Sequence, residues 1–336
     1  MKHKYFFLLA IFWFFSAPLF AQQFVNDSVK LFVDKSVELI KTHSINRENI
    51  DVIREDLYRK SVNLSSVDQV APLFAGVFKQ LQDYHGNLKY KGKTYGWEKS
   101  TDLDNKYLKE RLKGGKRVHS EVINKNIAYL RIPGNNDFRS KKIDSIADDI
   151  VKHVNAVNAK HIKGWIIDLR LNTGGNMYPI LLGLKEFIGD NLVFGGFENT
   201  HNQPTGTWEV KEGKMIIDGV TLDRKTVLEH TIKSDIPVVI LTSCYTASAG
   251  EMTAIALIGR KNTTIVGEPT ANYTTAVQGF SIDDQTGINL STDYVVDRNH
   301  KIYKGNITPD VEVLGGDQLE DLKNDRKILE ALSFIK

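Results

Sequence analysis

The chain has 336 residues, of which 25% are charged, with a formal net charge of +3 and one cysteine. The length allows one large domain or a domain with a smaller companion. The mixed charge and short basic runs exclude a nucleic-acid footprint, the single Cys244 excludes an internal disulfide, and the scattered histidines show no zinc-ligand spacing.

The chain opens with MKHKYFFLLAIFWFFSAPLFAQQ: Lys2 and Lys4, an apolar stretch from Tyr5 to Phe15, then small residues. That is the layout of a secretory signal peptide spanning residues 1–21, with cleavage after Ala21, and it predicts export to the periplasm or the medium. The apolar run is short for a membrane span, so no stable span is expected after cleavage.

Helical spacing follows at Val29, Val33, Val37 and Ile40, then at Ile50, Ile53 and Leu57, then at Val67, Val70, Phe74, Val77, Phe78 and Leu81. The third run reads as one helix, capped by Ser65 or Ser66 and ended by Gly86, with His85 on its apolar face and Asp83 pointing off the other side. These helices and a polar connection make up an N-terminal helical subdomain over residues 22–116.

From residue 117 the pattern becomes alternating strands and helices. Strands are expected at 127–132 (IAYLRI), 165–169 (WIIDL), 237–242 (PVVILT) and 263–266. Helices are expected around 143–154, at 177–188 and after Ser248. Apolar strands of this kind alternating with helices define an α/β core of parallel strands covered on both faces. Segments 278–282 and 288–296 read as an antiparallel hairpin extending that core, and 194–219 as an excursion of short strands.

Three places could carry chemistry. Ser248 stands between a buried strand and a helix start, in the capping-box sequence Ser248-Ala249-Gly250-Glu251. The same position suits a nucleophile, because the helix dipole and the Ala249 N–H can stabilise an oxyanion. Gly174-Gly175, in DLRLNTGGNM, lets backbone amides approach a ligand, or simply makes a tight strand-to-helix turn. His85 reads as a packed core histidine or as the base that an exposed serine requires. Asp168 and Arg170 read as holding the strand end and the Gly-Gly loop, and Cys244 as packing.

Taken in order, LQDYHGNL (81–88), WIIDLRLNTGGN (165–176), VVILTSCYTASAGEMTAIAL (238–257), IVGEPT (265–270) and ITPDVEV (307–313) resemble the tail-specific, or C-terminal processing, serine peptidases. The resemblance implies a ClpP/crotonase-like core of repeated β-β-α units over residues 117–336, with no cofactor and no metal. It implies Ser248 as nucleophile, with an oxyanion hole from Ala249 and the Gly174-Gly175 loop. One branch of the family takes its base from a lysine after Gly-Glu-x-Thr. Here that position holds Tyr273, so the tricorn-like branch and His85 as general base are implied instead. That branch orients its histidine through a neighbouring serine and a C-terminal glutamate. This chain has Tyr84 beside the histidine, and Tyr303 and Lys304 before ITPD, so no third catalytic member is assigned. Only about 30 residues lie between His85 and the start of the core at residue 117, too few for the PDZ module of many relatives.

The expected function is an exported serine endopeptidase acting on peptides or unfolded protein tails through an acyl-enzyme. A non-catalytic peptide- or ligand-binding protein on the same fold and an esterase using the same two residues are the alternatives. The sequence leaves the oligomeric state open.

Overall fold

The computed structural model of the chain describes residues 24–98, 103–114 and 117–335. The segment read as a signal peptide lies outside the described residues.

The fold opens with helices α1 (Asp27–His43), α2 (Ile50–Ser61), α3 (Val67–Val70) and α4 (Phe74–Leu81). Asn26 caps α1 by accepting from the N–H groups of Ser28 and Val29. The single helix expected from Val67 onward is interrupted by a 3-10 turn over Ala71–Leu73, where Pro72 has no N–H to continue the α ladder. It also stops earlier than expected. Gln82 takes the left-handed backbone conformation (φ 54°) and closes α4, so Asp83, His85 and Gly86 lie in the turn beyond it. The polar connection then contains structure that its composition did not announce. A hairpin forms from β1 (Asn87–Tyr90) and β2 (Lys93–Gly96), and a short helix, α5 (Lys106–Arg111), buries Leu108.

The remaining elements are β3 (His119–Ile123), β4 (Ile127–Arg131), α6 (Ile143–Val157), β5 (Gly164–Asp168), α7 (Tyr178–Gly183), α8 (Lys185–Ile188) and β6 (Leu192–Glu198). They continue with β7 (Pro204–Lys211), β8 (Lys214–Ile217), β9 (Val220–Leu222), β10 (Val238–Thr242), α9 (Ala249–Leu257) and β11 (Thr263–Gly267). The chain closes with β12 (Thr275–Asp283), β13 (Thr286–Asp297), β14 (Ile302–Tyr303), β15 (Val311–Glu312) and α10 (Arg326–Leu332).

Two sheets result. The six-stranded one runs β15-β11-β10-β5-β4-β3, parallel throughout except for β3. Every residue of β5 and β10 is buried, as their unbroken apolar runs require of strands covered on both faces. Helices α6, α7 and α9 cover one face and α10 the other. The nine-stranded sheet is antiparallel, and the β12/β13 hairpin belongs to it instead of extending the parallel sheet. The reason is the length of β13, which pairs with β1 and β6 along one edge and with β12 and β14 along the other. The excursion at 194–219 is the meander β6-β7-β8-β9 of the same sheet. Helices α1 to α4 bury their apolar faces against Leu88, Tyr90, Ile282, Ile288 and Leu290.

Beneath the carboxyl ends of the parallel strands lies a charge cluster sealed from water. The Arg170 guanidinium bonds Asp168, Asp317 and Asp325, each at 2.7 Å at its closest, and all four side chains are 0% exposed. Lys327 bonds Asp317 at 2.8 Å and Glu268 at 2.9 Å. Burial alone would raise the Asp168 carboxyl, but the Arg170 charge together with the hydrogen bonds from Arg170 and Tyr129 outweighs it and holds Asp168 below its ordinary value. Replacing Arg170 by leucine leaves the Asp168 and Asp325 carboxylates in the interior without their cation, and Asp317 with Lys327 alone as its cation. The expected loss is about 3–5 kcal/mol of folding free energy, read as a lower urea midpoint.

Candidate active site

Ser248 stands where β10 passes through a short turn into α9. Its backbone (φ 50°, ψ −114°) lies in a region that residues with a side chain rarely adopt, at a cost of about 1–3 kcal/mol. Glu251 reaches back from the first turn of α9 and accepts the Ser248 N–H at 2.9 Å, forming that half of the predicted capping box. The same carboxylate, 0% exposed, accepts the N–H groups of Asn272 (3.0 Å) and Tyr273 (2.7 Å) and the hydroxyl of Thr270. Burial pushes Glu251 up to about 7, against the opposing pull of these four donors. Ala249 is the first residue of α9, so its N–H has no acceptor within the helix.

The loop after β5 meets this turn edge to edge. The Ala247 N–H donates to the Asn172 carbonyl at 2.9 Å, and a Cβ at Gly174 would stand 3.0 Å from Ser248 Cβ. Gly174 and Gly175 both have positive φ, 103° and 114°, and a Cβ at Gly175 would fall 1.9 Å from the Asn135 carbonyl oxygen. Only glycine fits there. The Gly174 N–H donates to Asn172 Oδ1 at 3.1 Å.

His85 arrives from the other side. The sequence places it on the apolar face of a helix, but the early end of α4 puts it in the turn before β1 instead. Its Nδ1 lies 2.9 Å from Thr275 Oγ1 on β12, and the Tyr273 ring meets the imidazole edge-on with centroids 4.9 Å apart. Burial pushes the imidazole down to about 4, opposed by the charge of Asp83. Asp83 is 2% exposed and turns inward, contrary to its expected direction, because it too lies past the helix end. Its Oδ1 accepts the N–H groups of His85 (3.2 Å) and Gly86 (2.8 Å) and the Ser291 hydroxyl (2.8 Å), and its Oδ2 accepts the Ser291 N–H (3.1 Å). Thr275 Oγ1 and Ser291 Oγ are 3.2 Å apart.

Ser248 and His85 line one cavity of about 1050 Å³, together with Gly175, Ala247, Tyr273 and Thr275. No hydrogen bond joins their side chains directly among the described residues. Gly174 and Ala249 lie behind the cavity wall, 0% of Ala249 being exposed. Phe138 and Val277 give the cavity an exposed apolar margin, and Lys89, Asp218 and Asp293 give it charge. Cys244 also reaches the cavity, but burial pushes its thiol up to about 12, away from the thiolate a nucleophile needs. Sequence reasoning missed Thr275 and Ser291, which lie on strands with no distinguishing pattern. Its one available clue was Asp-Tyr-His-Gly at 83–86, a turn-forming carboxylate and glycine around the histidine.

The sequence model of peptidase family S41 matches residues 126–313, more than half of the chain, and the chain belongs to that family. The match contains Ser248, Ala249 and the Gly-Gly loop, whereas His85 precedes it. The nisin-resistance protein of Lactococcus lactis subsp. lactis is 29% identical over 175 residues, 50% of this chain and 52% of that protein. The carboxy-terminal processing protease CtpA of Bacillus subtilis (strain 168) is 27% identical over 198 residues, 58% of this chain and 36% of that protein. The alignments thus span about half of the first relative and about a third of the second. Among solved structures, a lipoprotein from Streptococcus agalactiae superposes with a TM-score of 0.65 at 20% identity, covering 91% of this chain and 96% of its own. The photosystem II D1 C-terminal processing protease superposes at 0.57 and 13% identity, covering 88% and 96%. Both share the fold.

Gly175→Ala must move either the loop or Asn135. It is expected to lower stability by about 1–3 kcal/mol in thermal denaturation, whereas Gly213→Ala, at an exposed turn with no atom within 4 Å, costs less.

Proposed function

We propose that this chain is an exported serine endopeptidase that cleaves peptides or unfolded protein tails through an acyl-enzyme. Ser248 is the nucleophile and His85 the general base. The observation that carries this reading is the convergence of the two residues, from elements 163 positions apart, on one cavity beside two unusual backbone turns. Membership of the S41 family and the apolar, cleavable-looking N-terminus support it. No helix among the described residues is long and apolar enough to cross a membrane.

In this reading Ser248 Oγ attacks the scissile carbonyl as His85 takes its proton. The tetrahedral oxyanion accepts from the Ala249 N–H at the positive end of α9 and from the Gly174-Gly175 loop. Within that loop Gly175 is the better donor, since it lines the cavity and the Gly174 amide is held by Asn172. His85 then protonates the departing amine, and water attacks the ester by the reverse route. The strained Ser248 backbone belongs to this machinery, as it turns the side chain out of the strand end into the cavity.

The test is intact-mass analysis after exposure to a serine-directed fluorophosphonate. A single adduct is expected on the wild type and none on Ser248→Ala, and His85→Ala should slow labelling by about 10²-fold or more. An unlabelled wild type would overturn the reading in favour of a binding protein on the same fold.

The working form of His85 is neutral, and its pKa is depressed to about 4. The labelling rate should therefore hold as pH falls through the ordinary imidazole range near 6.5 and decline only below about pH 5. A rate that halves near pH 6.5 would contradict the depressed pKa of the base.

A further inference from the structure

We propose that Asp83 fixes the tautomer of His85 through a two-hydroxyl relay, Ser291 then Thr275. This inference rests on the assignment of His85 as the base and supplies the positioning group that the sequence left unassigned.

The argument is a count of protons. The Asp83 carboxylate accepts three N–H groups and the Ser291 hydroxyl, so the single proton of Ser291 Oγ is spent on Asp83. For the 3.2 Å contact between Ser291 Oγ and Thr275 Oγ1 to be a hydrogen bond, Ser291 must accept, and the single proton of Thr275 then points to Ser291. Thr275 in turn can only accept from His85 Nδ1, 2.9 Å away. The proton of neutral His85 therefore sits on Nδ1, and Nε2 keeps the lone pair that a base requires. Every donor in the chain points toward the carboxylate. When His85 becomes an imidazolium, its new charge stands at the head of a hydrogen-bonded path ending on a buried anion.

Sheet geometry builds the relay. Thr275 pairs with Tyr294, Ala276 with Asp293 and Val277 with Ser291, so β13 carries one extra residue between the last two pairs. Without that bulge, Ser291 and Tyr294 would face opposite sides of the sheet. With it, Ser291 shares a face with Thr275 and their hydroxyls meet. The other end is held as tightly. A Cβ at Gly86 would stand 2.6 Å from Asp83 Oδ2 and 2.9 Å from the Asn289 carbonyl, so the turn presses the carboxylate against β13.

The test reads the tautomer directly. In protein labelled with 15N-histidine, with the His85 signals assigned by comparison with His85→Gln, the wild type should show a protonated Nδ1 and a bare Nε2. Thr275→Val, which keeps the shape and deletes the acceptor, should shift the ring toward the Nε2–H form. Its maximal fluorophosphonate labelling rate should drop by about 10²-fold while the half-saturating concentration changes little. Thr275→Ser should restore both readouts, and Ser291→Ala should move both in the same direction as Thr275→Val. A wild-type ring protonated on Nε2, or a Thr275→Val ring that stays protonated on Nδ1, would overturn the relay. A wild type that shows the Nδ1–H form yet never reacts with the fluorophosphonate would instead sink the peptidase reading and leave the relay standing.

Discussion

Arg170 is the point on which the two halves of the site rest. Its side chain gathers Asp168 from the end of β5 with Asp317 and Asp325 from the C-terminal segment, and its carbonyl accepts the Ser243 hydroxyl at 2.7 Å. Next to it, Thr246 Oγ1 donates to the Leu169 carbonyl and Lys327 clasps Glu268, which accepts the Cys244 N–H. The turn that carries Ser248 and the loop that carries Gly174-Gly175 are thus fastened to one polar floor. Two cations face four carboxylates there, and the excess negative charge is met by donors. Tyr129 serves Asp168, Asn105 serves Glu268 and Asp317, and the amides of Lys327 and Ile328 serve Asp325. Such a cluster tolerates little loss, since each deleted partner leaves a charge or a donor stranded in the interior.

The division of labour between the sheets follows. The parallel sheet, with β5 and β10 buried throughout, carries Ser248 and the Gly174-Gly175 loop at the carboxyl ends of β10 and β5. The antiparallel sheet holds His85 and the side chains bonded around it. Strand β13 is common to each part of that second group. It holds β1, next to the His85 turn, along one edge, and β12, which carries Thr275, along the other. Its own Ser291 carries the bond to Asp83.

How much of this could be read from the sequence depended on how loudly each element speaks. The parallel strands did so plainly, because a strand covered on both faces must be apolar throughout, as in WIIDL and VVILT. The Ser248 turn was legible from its small residues and its glutamate, and the Gly-Gly loop from its composition. The turn around His85 was not. Gln82 ends α4 in a left-handed conformation usually given to glycine, so the visible stop signal at Gly86 pointed four residues too far along. That shift reversed the direction assigned to Asp83. Thr275 and Ser291 were silent for another reason: one hydroxyl per strand has no period, and the bulge that brings the two onto one face leaves no mark in the residue pattern. The short β1-β2 hairpin and α10 lacked the length that makes a pattern visible.

Glu251 has a consequence for anyone who would transplant this site. One carboxylate grips the amide of Ser248 and the amide of Tyr273, whose ring abuts His85. In the proposed mechanism the spacing between attacking oxygen and imidazole is therefore gauged by a side chain that performs no chemistry. A graft that copied only the serine, the histidine and the glycine loop would carry the tools without the jig that aligns them.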